Sequence, residues 1–589
     1  MTKMKCGCFG LVNFSSQIPN THRRSILKTA LTIPALTAAP IWAANNDPDT
    51  IFINGKISTL DAANKIATAL AVKQGKITHI GDEATIRKLA GTNTRVIDFM
   101  GKRVVPGFID AHCHPMETIY MQNDWVDARY PEVPTVSAAL ERIKAWTNKT
   151  EAGKWIFVAC VSASQNKFQE KRLPNRTELD RVAPNNPVVL ANGTHMAVAN
   201  TMALKMLGVT KGVSKLKHGG SALLDQDGEP TGVLTDVQAD VPTTPTVEEM
   251  RDYYSTGIQK LWNQFGFTSV LAITPSAALP VMHHVAQNAK QPTLRYTVSV
   301  WSSSNAHDMP EDLSVYAMPP TANPEFYRFG GIKDWVDGEN DCRTGYMYES
   351  YIGHAETDPP GNKGTLVTPQ SDIERVVRIA AKENKFSMLH CSGDRAMDMG
   401  LTAIESVMNT TKENTLTRIE HFGMFQMQDS QLERAKKLKA RGLHISVQPT
   451  WLLELVKADF ENMPSEIAKT GFQFRKMIDA GLEPAAGTDM TGIYMGNINP
   501  FTAMYASVTR QSDRGLFQPE QAVTVTEALS MWTIWAARSI GEANLKGSLE
   551  VGKFADMVVL SDDIFAISPD KIKDLKVTTT IVNGEVVYS

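Results

Sequence analysis

From Pro106 to about Asn544 the chain alternates short apolar runs, edged by turn residues, with longer stretches of helical character. Strands are expected at 108–111, 269–273, 294–300, 387–390, 418–421 and 444–448, and helices at 372–384 and 431–441. Connections of that length join parallel strands through helices. The pattern therefore predicts an α/β chain whose barrel spans 106–545, a TIM-type (β/α)8 barrel. Residues 155–240 exceed what one βα unit needs and are expected to form an inserted subdomain over the barrel mouth. The two flanks, 49–105 and 546–589, have strand-and-turn grammar, as in Ile53-Asn54-Gly55 and Val582-Asn583-Gly584. They predict one small β-sandwich domain built from both chain ends.

Residues 1–44 have the character of an address. Lys3, Lys5, Arg23, Arg24 and Lys28 precede a mostly apolar run at 29–44, with no acidic residue before Asp47. The core Arg23-Arg24-Ser25-Ile26-Leu27-Lys28 resembles a twin-arginine export signal with cleavage near Ala43 or Ala44, which predicts a periplasmic protein. After the signal no apolar stretch approaches the roughly 20 residues a membrane span needs, so no stable membrane insertion is expected. A formal net charge of -3 gives no electrostatic case for nucleic acid. Cys6 and Cys8 are expected to leave with the signal. Cys113, Cys160, Cys342 and Cys391 form no CxxC pair and are expected to be packed free thiols, Cys113 and Cys391 facing away from the site into the barrel wall.

The chemistry gathers where strands end. Asp110-Ala111-His112-Cys113-His114 closes the first strand, and two imidazoles at i and i+2 can share one metal. Phe329-Gly330-Gly331-Ile332-Lys333 ends in a lysine, Ser387-Met388-Leu389-His390 and Arg418-Ile419-Glu420-His421 end in histidines, and Ala486-Gly487-Thr488-Asp489 ends in a carboxylate. Each alone has an ordinary explanation: coincident histidines, a snorkelling lysine, a turn aspartate. Together they carry more weight, because functional side chains of a barrel collect at the C-terminal ends of its strands.

That order of His-x-His, Lys, His, His and Asp resembles the amidohydrolase superfamily, specifically members with two divalent metals bridged by a carboxylated lysine. Lys333-Asp334-Trp335-Val336-Asp337-Gly338, Cys342-Arg343-Thr344-Gly345, Gly393-Asp394-Arg395-Ala396 and the closing Gly547-Ser548-Leu549-Glu550-Val551-Gly552 resemble its family-3, YtcJ-like branch. Gly345 departs from the branch's usual Ala and is expected to loosen a loop. Gly487-Thr488-Asp489 replaces the commoner Gly-Ser-Asp. The resemblance implies His112 and His114 on one metal, His390 and His421 on the other, Lys333 bridging as a carbamate, and Asp489 as metal ligand and catalytic proton acceptor. It implies two zinc ions, with manganese or iron compatible. His195, Tyr351, Arg343 and Trp125 are implied substrate contacts.

The expected function is metal-dependent hydrolysis of a C–N bond in a small-molecule substrate: an amide, N-formyl, N-acyl or cyclic amide. Two other readings stay open. One is a mononuclear, deaminase-like hydrolase with Lys333 unmodified; the other is a non-catalytic periplasmic binding or regulatory protein on the same barrel. A homodimer is the expected assembly.

Overall fold

The computed structural model describes residues 47–589 apart from 131, 161–166, 193–195, 218–220, 236, 238–240, 242–247, 249–256, 302–308, 342, 353–360, 411–414 and 491–497. The expected signal (1–44), His195 and Cys342 lie outside the described residues.

Eight strands form one sheet: β1 (Phe108–Cys113), β2 (Phe267–Pro275), β3 (Arg295–Trp301), β4 (Tyr327–Trp335), β5 (Phe386–His390), β6 (Thr417–Glu420), β7 (Leu443–Val447) and β8 (Ala485–Ala486). They pair in chain order and every pairing is parallel. A parallel bridge from Cys113 to Met490 returns β1 to the chain just after β8. The His114 N–H donates to Met490 O (3.0 Å) and the Asp489 N–H to His112 O (2.8 Å). The chain thus closes as an α/β barrel of TIM type.

Helices cover the sheet because their apolar residues fall on one face. In Gln370–Lys382 the buried residues Ile373, Val376, Val377 and Ala380 recur at i, i+3, i+4 and i+7. Asp394–Thr410 buries Met397, Leu401, Ile404 and Met408 in the same way. Each of these Val, Leu, Ile and Met side chains contributes about 1.5–3 kcal/mol when fully buried.

Strands from both chain ends share a six-stranded sheet, in which Met557–Leu560 pairs antiparallel with Arg103–Pro106. A four-stranded sheet, ordered Lys76–Gly81, Ala69–Lys73, Thr50–Ile53 and Arg95–Asp98, packs against it through Phe52, Leu70 and Ile77 on Val104, Met557 and Ile581. Arg295 ties this unit to the barrel. Its guanidinium pairs with Asp556 (2.7 and 2.9 Å) and lies 3.7 Å from the Phe554 ring centroid.

Between β1 and β2 a fourth, six-stranded sheet is inserted, running from Trp125–Asp127 through Ile156–Cys160, Val188–Asn192, Met196–Ala199 and Pro230–Thr235 to Ser221–Leu224. It starts thirty residues before 155, because Trp125–Asp127 pairs parallel with Ile156–Cys160 and adds an edge strand to it. Cys113, Cys160 and Cys391 are buried and form no disulfide among the described residues, Cys113 with its Sγ 3.5 Å from Leu271 O. No helix among the described residues is long and apolar enough to cross a membrane.

Candidate metal centre

The barrel brings the strand-end residues together. His112 lies in β1 and His114 just past it, where the register against β2 shifts between Asp110 and Cys113. Bulges of this kind re-aim side chains beside functional sites. His112 Nε2 and His114 Nε2 each lie 3.3 Å from Asp489 Oδ1, and His421 Nε2 lies 4.0 Å from Asp489 Oδ2. The His390 ring is 4.5 Å from that of His421, centroid to centroid. His421 and Asp489 both hold positive φ, 63° and 47°, an arrangement that costs energy in a non-glycine residue and concentrates at functional sites.

Every one of these groups is buried. Burial drives the His114 pKa down to about 4 and that of His421 to about 3, and pushes His390 well below its ordinary value, so these imidazoles are neutral. Burial alone would raise Asp489, but the surrounding imidazoles of His112, His114 and His421 outweigh it and hold the carboxyl well below its usual range. Lys333 is buried in β4 with its Nζ 5.2 Å from the Trp335 ring centroid. After burial, its charge is among the influences that lower His390 and His421.

A second layer, unassigned by sequence reasoning, orients the first. Glu420 Oε2 lies 2.6 Å from His112 Nδ1, and Gln448 Oε1 lies 2.7 Å from His421 Nδ1. His390 Nε2 faces Gly338 O and Ser392 Oγ, both at 3.0 Å. The indole of Trp451 stacks on His421 at 5.3 Å and 14°. Asp110 accepts from Thr488 N (2.9 Å), Thr488 Oγ1 (2.7 Å) and Trp262 Nε1 (3.1 Å), fastening β1 to the chain that carries Asp489. Two of these had a signal: Asp110 is two residues before His112 on one strand, and Glu420 abuts His421. Gln448 and Trp451 had none, since only the closed barrel sets them behind a histidine.

Of the expected substrate contacts, Tyr351, Arg343 and Trp125 lie among the described residues. Tyr351 Oη is buried, 2.9 Å from Asn340 Oδ1 and 2.8 Å from Gly345 O, and so holds the loop that follows β4. The Arg343 guanidinium lies 5.9 Å from the Tyr351 ring centroid. Trp125 is packed in the inserted sheet with its ring 5.4 Å from that of Phe157. A Cβ at Gly345 would lie 2.1 Å from Asn340 Oδ1 and 2.9 Å from Tyr351 Oη, so glycine permits a close approach.

The donor set fits a divalent cation. His112, His114 and Asp489 offer ligand atoms within 4.8 Å of one another. His112 Nε2, His421 Nε2 and Asp489 Oδ1 are buried and have no hydrogen-bond partner among the described residues. Buried polar groups left this way call for a partner, and neutral imidazoles with a carboxylate are ligands for zinc and its neighbours.

The chain is similar to known proteins over most of its length. Over 557 residues the chain is 29% identical to the N-substituted formamide deformylase of Arthrobacter pascens, covering 92% of this chain and 98% of that protein. It is 24% identical over 554 residues to YtcJ of Bacillus subtilis (strain 168), covering 91% and 99% of the two chains. It shares its fold with an uncharacterized metal-dependent hydrolase from Pyrococcus horikoshii OT3, at a TM-score of 0.69 and 24% identity, over 88% of this chain and 99% of that one. A family model described as the amidohydrolase family matches residues 95–588. With that match running from the first sheet through the barrel to the last strand, the chain belongs to the amidohydrolase family.

Proposed function

We propose that the protein is a metal-dependent hydrolase that cleaves a C–N bond of a small molecule: an amide, N-formyl, N-acyl or cyclic amide. The observation that carries this reading is the convergence of His112, His114 and His421 on the Asp489 carboxylate in a buried barrel mouth. The name of the Arthrobacter relative, a deformylase of N-substituted formamides, supports the bond class. His112, His114 and Asp489 would hold one divalent cation. His390 and His421 would hold a second, with Lys333 carboxylated as the bridge. A divalent cation in such a site polarises a carbonyl and lowers the pKa of bound water to about 7.

The protein's own groups supply the rest. Asp489, ionised and buried, takes the proton from the attacking water and returns it to the leaving nitrogen. Glu420, Gln448 and Gly338 O hold the imidazoles in their orientations.

Metal analysis of the purified protein, followed by hydrolysis assays on formamides, N-acyl amino acids and cyclic amides, tests the reading. Metal-free protein without turnover across all three series would overturn it. The compact three-ligand group at His112, His114 and Asp489 also favours a mononuclear, deaminase-like site. One metal per chain, with an unmodified Lys333, would select that alternative.

We further propose export by the twin-arginine route. Replacing Arg23 and Arg24 together by lysine should hold the protein in the cytoplasm, as read by cell fractionation. Unchanged periplasmic delivery would defeat the assignment.

A further inference from the structure

The groups standing behind the histidines differ in charge. His112 Nδ1 faces a carboxylate, Glu420 Oε2, at 2.6 Å. Arg418 clamps that carboxylate, Nε to Oε1 at 2.8 Å and Nη2 to Oε2 at 2.9 Å. The same guanidinium donates to Ala111 O (2.8 Å), one residue before His112, and to Ser539 Oγ (3.1 Å). Both side chains of the pair are fully buried. His421, by contrast, is backed by the neutral amide of Gln448, and His390 by Gly338 O and Ser392 Oγ.

We propose that Glu420, anchored by Arg418, is a positioning residue that makes the His112–His114–Asp489 group the tighter, first-loaded metal position. The inference rests on the metal-dependent reading above and deepens it. A carboxylate that accepts from Nδ1–H fixes the imidazole tautomer, leaves the Nε2 lone pair facing Asp489, and raises the basicity of that nitrogen. The amide behind His421 and the carbonyl behind His390 fix those rings; the Asp337 carboxyl lies 3.9 Å from His390 Nε2, beyond a hydrogen bond, and accepts instead from the Ser392, Gly393 and Tyr346 N–H groups. Arg418 bonds to both Glu420 and the β1 backbone. It therefore holds the carboxylate and His112 in one frame, and Glu420 cannot turn away.

The test is a Zn²⁺ titration of metal-free full-length protein against a chromophoric chelator. It compares wild type, Glu420→Gln, the double variant Arg418→Gln/Glu420→Gln, and Gln448→Ala. The single Glu420 variant leaves Arg418 as an unpaired buried charge and can fail to fold; the double variant removes both charges together. Circular dichroism and melting of the metal-free proteins report the fold independently of zinc.

The expected result is a first equivalent bound about 10–100-fold more weakly in the double variant, the usual scale for losing such an outer partner. Gln448→Ala should leave the first equivalent within about threefold of wild type, since its partner His421 lies outside the proposed first group. An unchanged first equivalent in a folded double variant would overturn the inference, as would an equal loss in Gln448→Ala. Either result leaves the hydrolase reading intact. A wild-type protein that takes up no zinc would overturn both together.

Discussion

Asp489 reaches the imidazoles because residues 487–489 run hard against β1. A Cβ at Gly487 would lie 2.5 Å from His112 Cβ and 2.6 Å from His112 N, so only glycine lets the two segments approach. Gly487→Ala should push them apart. Overpacking of this kind costs about 1–3 kcal/mol. We expect a lower melting temperature together with lost metal and lost turnover, checked by thermal melting and metal analysis of one preparation. Asp489→Asn should behave differently. It keeps the Asp489 N–H bond to His112 O, but an amide cannot take a proton at neutral pH. Turnover should fall about 10²–10⁴-fold with melting little changed. Near-normal rates on any substrate found in the amide screen would remove Asp489 from the proton path.

At the scale of elements, the seam between β1 and β8 is short of ladder bonds, since β8 has only two residues, and side chains close it. Thr488 Oγ1 donates to Asp110 Oδ2 at 2.7 Å and accepts from Met490 N at 2.9 Å. Thr488→Val strips both bonds from buried partners, a loss of about 1–3 kcal/mol. Denaturant melts should show that loss, and unchanged stability would mean the seam is held elsewhere. Element positions were largely legible from apolar periodicity, while their ends were not. The helix expected at 431–441 is Asp429–Lys439, opened where the Gln428 N–H donates to Gln431 Oε1 at 3.0 Å. Gln is not a usual cap residue, and the sequence offered no reason to stop there. The inserted sheet shows the same limit. A three-residue edge strand, Trp125–Asp127, carries too little periodicity to be seen without its partner.

At the scale of the whole molecule, ion pairs centred on the buried Glu542 join barrel strands to the chain that follows the last helices. Glu542 is fixed by Arg328 Nε at 2.6 Å, by Lys546 and by Thr297 Oγ1, the last on β3. Lys546 in turn reaches Ser269 on β2. Glu542→Gln leaves Lys546 without its counter-charge, which costs about 3–5 kcal/mol. Burial tends to raise the Glu542 pKa, but Lys546 and Arg328 outweigh it and hold it below the ordinary 4.5. For a lowered carboxyl the stabilisation is complete above the unfolded value and disappears as pH falls through the folded one. Melting temperature should therefore decline on acidification below about 4.5, and the Gln variant should lack that part of the slope. Equal slopes in melts of the two proteins would show that other carboxyls govern the acid limb.

The sequence by itself determined the kind of architecture and the identity of the residues at the strand ends. Strand and helix periodicities are local, and a histidine closing an apolar run is visible without the fold. Only the tertiary structure decided what those residues face. Glu420 reaches His112 across 308 positions of sequence, and Asp110 reaches Thr488 across 378. Tyr351, expected beside a substrate, has its hydroxyl taken up by Asn340 and Gly345. The physical reason is closure. Barrel strands meet neighbours far away in the chain, and hydrogen bonds between buried side chains form only when both partners have lost their water in the same place.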